Sequence, residues 1–234
     1  MASLVLPAAA ADFEPEAMDI VGAWRLKYTT PDEAEDKLSA VIVGLQNGEF
    51  AAWFMGEGIT KGNVEPFQKV EIKDDTLELT FRPQSRADQV EVTLKAKLDK
   101  QNVCSGVVAY AADDGETGEF KFTGKRLGEA DFDEAQSWKL KFTGPDEIER
   151  TPTVLVGTLG EQLFAWYSDG TYQLPATDLT LTDDKVVMSI SAQTPDDQII
   201  NVTFTGTLNG DQVKGEAEYE LAGETGSFDF EGSQ

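Results

Sequence analysis

The sequence predicts an all-β protein: two tandem eight-stranded antiparallel up-and-down barrels, each preceded by a short helical segment. Three observations carry this. Gly115-Glu-Thr-Gly-Glu-Phe-Lys-Phe-Thr-Gly124 returns almost letter for letter as Gly223-Glu-Thr-Gly-Ser-Phe-Asp-Phe-Glu-Gly232, so a turn and a Phe-x-Phe strand close two similar units. Between these closures, short runs of period-two alternation end regularly in turn residues, the pattern of consecutive half-buried strands. A length of 234 residues leaves each unit about a hundred, enough for one modest core.

Residues 1–12, a short apolar run with a Pro and then small residues, read as the remnant of a secretory signal or as a disordered leader. The expected location is therefore secreted or periplasmic. The first barrel is assigned to residues 13–126, with a helical turn or two over 13–21, where Glu and Pro stand near the start as helix N-termini prefer. From Gly22-Ala-Trp24, alternation takes over: Trp24, Leu26 and Tyr28 share one face, Arg25 and Lys27 the other. Further strands are expected at 38–46, 49–57, 68–73, 76–82, 89–98, 103–111 and 118–124, which makes eight. Asn47-Gly48 marks a type I′ hairpin, because that turn needs positive φ at both central residues. Strands joined by such tight turns run antiparallel.

An acidic linker, possible as a helix, is expected over 127–137, and the second barrel over 138–234. There Trp138, Leu140 and Phe142 repeat the opening alternation, and Pro145-Asp-Glu147 repeats Pro31-Asp-Glu33. The offset between units is 114 at the first Trp (138 − 24), 113 at the second (166 − 53) and 108 at the closing Gly (223 − 115), so length changes fall between strands. A meander with one apolar and one polar face has two stable solutions, a closed barrel or a two-layer sandwich. Closure removes the exposed edges, which favours the barrel.

The Gly22-Ala-Trp24 start, the eight-strand meander and the final Phe-x-Phe-x-Gly strand resemble the lipocalin and avidin-like barrels, the calycin group. The layout is most similar to lipocalin-like domains of unknown function in secreted bacterial proteins, over residues 24–126 and 138–234. The resemblance implies small apolar or amphipathic ligands. It also implies that Arg126, after the last strand, caps Trp24 as a cation–π contact. The second unit departs from it, with Gln136 in the place of Gly22 and Gln234 in the place of the basic residue.

Four tryptophans come in matched pairs. Trp24 and Trp138, in phase with Leu26 and Leu140, are expected in the core. Trp53 and Trp166 stand late in the third strand, where they serve as core anchors or line a ligand at a barrel mouth. Tyr110 and Tyr219 also match and are candidate ligand donors. Asp113, Asp114 and Glu116 crowd around Gly115 without the alternate spacing of a calcium loop, and the second copy keeps the turn but not the acids. Asp74-Asp75 and Asp183-Asp184 read as turn chemistry.

Composition excludes several classes. There is no His, which removes the usual general base and commonest metal ligand, and Cys104 alone can form neither an internal disulfide nor a thiolate cluster. No cofactor, metal or catalytic residue is expected. With 19 basic and 43 acidic residues, a net charge of −24, the chain repels phosphate backbones and anionic lipid, so neither nucleic-acid binding nor membrane insertion is expected. The functional expectation is a non-enzymatic exported protein binding a small amphipathic ligand in one or both barrels. The alternative is a structural or protein-interaction domain with solid barrels, and a carboxylate-based hydrolase stands third.

Overall fold

The computed structural model describes residues 20–30, 37–56, 64–83, 90–99, 102–128, 131, 133–159 and 162–234. In the N-terminal half the strands are β1 (Gly22–Tyr28), β2 (Lys37–Gln46), β3 (Glu49–Gly56), β4 (Glu65–Pro66), β5 (Lys69–Lys73), β6 (Thr76–Phe81), β7 (Val90–Leu98), β8 (Val103–Ala112) and β9 (Thr117–Arg126). In the C-terminal half they are β10 (Asp133–Thr143), β11 (Glu149–Arg150), β12 (Thr153–Leu159), β13 (Gln162–Ser168), β14 (Gln173–Pro175), β15 (Asp178–Leu181), β16 (Lys185–Gln193), β17 (Ile199–Asn209), β18 (Gln212–Leu221) and β19 (Glu224–Ser233).

Each ladder is antiparallel, as tight connections dictate. The hydrogen-bonded order in the N-terminal half is β4–β3–β2–β1–β9–β8–β7–β6–β5, so the opening strand pairs with the closing one. The C-terminal half repeats it as β14–β13–β12–β10–β19–β18–β17–β16–β15, with β11 also against β10. Between the ends of each order the chain itself makes a corner. Phe67 N–H donates to the Ala52 carbonyl and the next amide, Gln68, to Thr80, each at 2.9 Å. Ala176 N–H to Ala165 at 2.9 Å and Thr177 N–H to Ser189 at 2.8 Å are the C-terminal equivalents.

β14 also pairs with β2 through Gln173 and Leu45, which joins the halves into one sheet system. What the ladders establish is an all-β antiparallel sheet. They do not establish two separately closed eight-stranded barrels, because no ladder joins β3 to β6 or β13 to β16 and because β14 reaches the other half.

The expected helical segments are not supported. Asp133–Thr143 is one strand that enters the stretch expected as a linker, with a bulge between Asp133 and Gln136. Ala135 packs in the cluster between the halves, and such tertiary packing outweighs a run of helix-favouring Glu and Ala. The segment expected as helix at 13–21 lies, up to residue 19, outside the described residues, as does the leader 1–12.

Apolar side chains form three clusters. One fills the N-terminal half around Trp24, Leu79, Phe81 and Phe122. A second fills the C-terminal half around Trp138, Phe142, Phe204 and Phe230. The third lies between the halves and contains Ile42, Trp53 and Met55 from one side, Phe164, Leu174 and Ala192 from the other. β2 and β3 are therefore apolar on both faces: Val41, Val43 and Ala52 belong to the first cluster, Ala40, Ile42 and Trp53 to the third. Gly44 admits the second half here, since a Cβ on it would lie 2.0 Å from the Gln173 carbonyl oxygen and 3.0 Å from the Trp166 ring. The Asn47-Gly48 turn has φ of 53° and 77°, as a type I′ hairpin requires.

Candidate ligand cavity of the C-terminal half

The interior face of the C-terminal half holds a cavity of about 130 Å³ at the end where the turns 144–148, 169–172 and 194–198 lie. Alternation brings its walls together. Phe142 comes from β10, Tyr167 from β13, Ile190 and Ala192 from β16, Ile200, Val202 and Phe204 from β17, and Phe228 from β19. Phe204 is the floor, and beyond it a void of about 30 Å³ reaches Trp138, Met188 and Val213. Phe204 packs edge-on to Phe230 at 5.3 Å and to Phe228 at 6.2 Å, while Phe142 stacks on Phe228 at 4.9 Å. These contacts hold the aromatic walls in place.

Polar groups gather at the rim. Arg150 grips Asp146 with both guanidinium arms, Nη1 donating to Oδ1 at 2.7 Å and Nη2 to Oδ2 at 2.6 Å. That bidentate contact holds the Asp146 carboxyl below the ordinary carboxylate range and raises Arg150 in turn. Asp169 accepts the Tyr167 hydroxyl at 3.1 Å and the backbone N–H groups of Thr171 and Tyr172 at 3.0 and 2.8 Å. Burial, followed by the Asp169 charge, pushes the Tyr167 phenol far up, so it stays a neutral donor. Tyr172 is raised by the same two causes, and its hydroxyl donates to the Gln193 carbonyl at 3.3 Å. The arrangement offers an apolar well with phenols, a guanidinium and two carboxylates at its lip.

None of the four aromatics singled out from sequence lines this cavity. Trp53 and Trp166 lie together in the cluster between the halves, on the strand face opposite the interiors. Tyr110 and Tyr219 lie across Gly118 and Gly226, their cross-strand partners: a Cβ on Gly118 would meet the Tyr110 ring at 2.5 Å, and one on Gly226 the Tyr219 ring at 2.7 Å. Both tyrosines thus cover a bare glycine on the neighbouring strand, and Tyr219 also stacks on Phe228 at 6.3 Å. Trp24 and Trp138 are buried in the two interiors.

Arg126 stands opposite Trp24 in register, but its guanidinium donates to the Val21 carbonyl and lies against Gly22. The guanidinium thus contacts backbone beside Trp24, where the resemblance implies a cation–π cap. Trp24 uses its own ring N–H on the Ile20 carbonyl at 2.9 Å.

The acidic turns act locally. Asp114 accepts the Glu116 N–H at 3.0 Å, Asp113 lies 3.7 Å from Arg82, and Asp75 pairs with Lys97 at 3.3 Å. Thr182 donates its hydroxyl to Asp184 at 3.1 Å. Among the described residues no group of three or more His, Cys, Asp or Glu is placed to hold a metal ion. Cys104 is buried, and that burial pushes its thiol up to about 11.

Sequence reasoning missed Asp146, Arg150, Tyr167, Asp169 and Tyr172. A signal existed in Tyr167-Ser-Asp-Gly-Thr-Tyr172, a turn bracketed by two phenols next to the repeated Pro-Asp-Glu hairpin.

No family model matches this chain, and no curated protein matches it. A solved structure of a protein of unknown function from the DUF3598 family of Nostoc punctiforme is similar over 93% of this chain and 96% of its own, at 12% identity and a TM-score of 0.31. A likeness at that level carries no weight for function. No helix among the described residues is long and apolar enough to cross a membrane, a fact silent on membrane-spanning strands.

Proposed function

We propose that this chain is a non-enzymatic exported protein built as two lipocalin-like eight-stranded barrels, and that the C-terminal barrel takes a small amphipathic molecule. The observation that carries the reading is the cavity above Phe204, apolar in its depth and polar at its lip. Barrel closure is supported by the pairing of first with last strand in each half and by the corner bonds at Phe67 and Ala176, which count β4 with β5 and β14 with β15 as single bent strands.

Size narrows the ligand. A volume of about 130 Å³ is close to the roughly 150 Å³ that holds a benzene-sized molecule and well under a drug-sized site. A single ring or a short alkyl chain fits. The solid-barrel alternative suits the N-terminal half, where the rings of Phe54, Phe67 and Phe81 meet at 4.8 to 5.2 Å.

The test is native mass spectrometry of protein taken from its source, compared with its denatured mass and with an Ile190→Phe variant prepared alike. An excess mass that vanishes on unfolding and is missing from the variant supports the carrier reading. Equal masses, with single-ring probes failing to bind at millimolar concentration, overturn it.

A further inference from the structure

We infer that the cavity selects a protonated amine carried on a single ring or a short alkyl chain and rejects carboxylate amphiphiles of the same shape. This rests on the carrier reading above. The ground is the charge around the lip. The turns 144–148, 169–172 and 194–198 carry five acidic residues, Asp146, Glu147, Asp169, Asp196 and Asp197, against one cation at the same lip, Arg150; of these, Asp146, Asp169 and Arg150 line the cavity itself.

One of the five is matched by a nearby cation, Asp146 by Arg150 at 2.6 Å. Glu147, Asp169, Asp196 and Asp197 have no cation within ion-pair distance among the described residues. Their contacts are neutral: the Thr194 hydroxyl donates to Asp196 at 2.6 Å and the Gln193 amide to Asp197 at 3.0 Å. Carboxylates grouped over a low-dielectric well focus a negative potential on its opening, which concentrates cations there and repels anions.

The lip can also receive the charge. A carboxylate has about four acceptor positions. On Asp169 three are filled, two on Oδ1 and one on Oδ2, so Oδ2 keeps one for an incoming ammonium. The rings of Tyr167, Tyr172 and Phe142 line the same space, and an aromatic ring attracts a cation that reaches its face. The guanidinium that would receive a carboxylate is already committed to Asp146. With Arg150 taken up by Asp146, the lip keeps a net negative charge that repels anionic ligands and attracts amines.

The decisive experiment titrates the full chain at neutral pH with benzylamine, benzyl alcohol and benzoate, one ring with three charges, by calorimetry or saturation-transfer NMR. Benzylamine is expected to bind about ten-fold tighter than the alcohol, with benzoate weakest. Raising salt to about 1 M, where the screening length is about 3 Å, should shrink the amine-to-alcohol ratio several-fold. The double variant Asp196→Asn with Asp197→Asn, exposed on a turn, should lower the same ratio. Equal affinity for amine and alcohol, or benzoate as the tightest probe, overturns charge selection and leaves the carrier reading standing. If none of the three binds, both readings fall together.

Discussion

The two halves share a strand plan and differ in what fills it. In the N-terminal interior Phe67 and Phe81 lie edge to face at 4.8 Å beside Phe54. The equivalent places hold Ala176 (176 − 67 = 109), Ile190 (190 − 81 = 109) and Tyr167 (167 − 54 = 113). The hydrogen bonds certify the match, since Phe67 and Ala176 donate to Ala52 and Ala165, themselves 113 apart. Two phenyl rings are thus replaced by a methyl and a sec-butyl group at the end where the second half has its cavity. In return Phe204 stands where Leu94 would be (204 − 94 = 110) and keeps the cavity from running to Trp138. A duplicated framework tolerates such exchange because the register is fixed by the backbone and turns, and the interior volume by a few side chains.

The largest way to break this comparison is Phe204→Ala, which would merge the two voids. A cost of about 3–5 kcal/mol is expected in urea unfolding. A loss under about 1 kcal/mol would mean that the interior collapses around the gap and the cavity is not rigid. Next comes exchange of fillings. Phe81→Ile should cost roughly 1–3 kcal/mol and create single-ring binding in the N-terminal half. Ile190→Phe should stay within about 1 kcal/mol of the parent, because the ring enters existing space, while abolishing ligand uptake. Both read by the same unfolding curves and probe titrations.

A second contrast lies at the opposite end. Gly22, at φ 144°, leaves room for Arg126, whose Nε would lie 2.9 Å from a Cβ there. The C-terminal half has Gln136 and Gln234 at these places, so neither the glycine nor the arginine is repeated there. Gly22→Ala is expected to cost about 1–2 kcal/mol, since a side chain is strained at that φ and collides with the guanidinium. In an Arg126→Ala background the cost should fall by at least about 0.5 kcal/mol. Strict additivity would remove the link between the two residues.

The smallest effect concerns acid. Asp146 has its folded pKa depressed below the ordinary carboxylate value, first by the hydrogen-bonded Arg150. Its stabilisation is therefore fully present above the unfolded value and is lost as pH falls through the lower folded value. Thermal scans from pH 5 downward should show Asp146→Asn less stable than the parent at pH 5, with the difference closing in the acid range. A constant difference across the range would assign the effect to shape.

Strand positions, turns and duplication were legible in the sequence because alternation and Asn-Gly or Gly-Glu-Thr-Gly turns are local signals. Predicted strands at 76–82 and 103–111 match β6 and β8 to within a residue. The face that Trp53 and Trp166 present was not legible. Alternation groups residues by face without telling which face is inside, and in β2 and β3 both faces are apolar. The unbroken run Ala40-Val-Ile-Val-Gly-Leu45 is the trace of that, the pattern of a strand covered on two sides. The cavity could not be read either, because it arises from residues left smaller on separate strands and its rim from three separate turns.

The pairing of β1 with β9, and of β10 with β19, also sets the tempo at which the chain is made. Residues 24–28 pair with β2 early but must wait for 122–126 to be synthesised before their other edge is filled, and 139–142 wait likewise for 230–233. Closing contacts across about a hundred residues belongs to the slow regime of topology-limited folding, milliseconds to seconds. During translation the nascent chain thus holds an apolar β2–β3 hairpin whose two faces lack their cover, the rest of the first interior on one and the second half on the other. Chaperone demand in this protein should be highest while the ribosome is between residues 56 and 126.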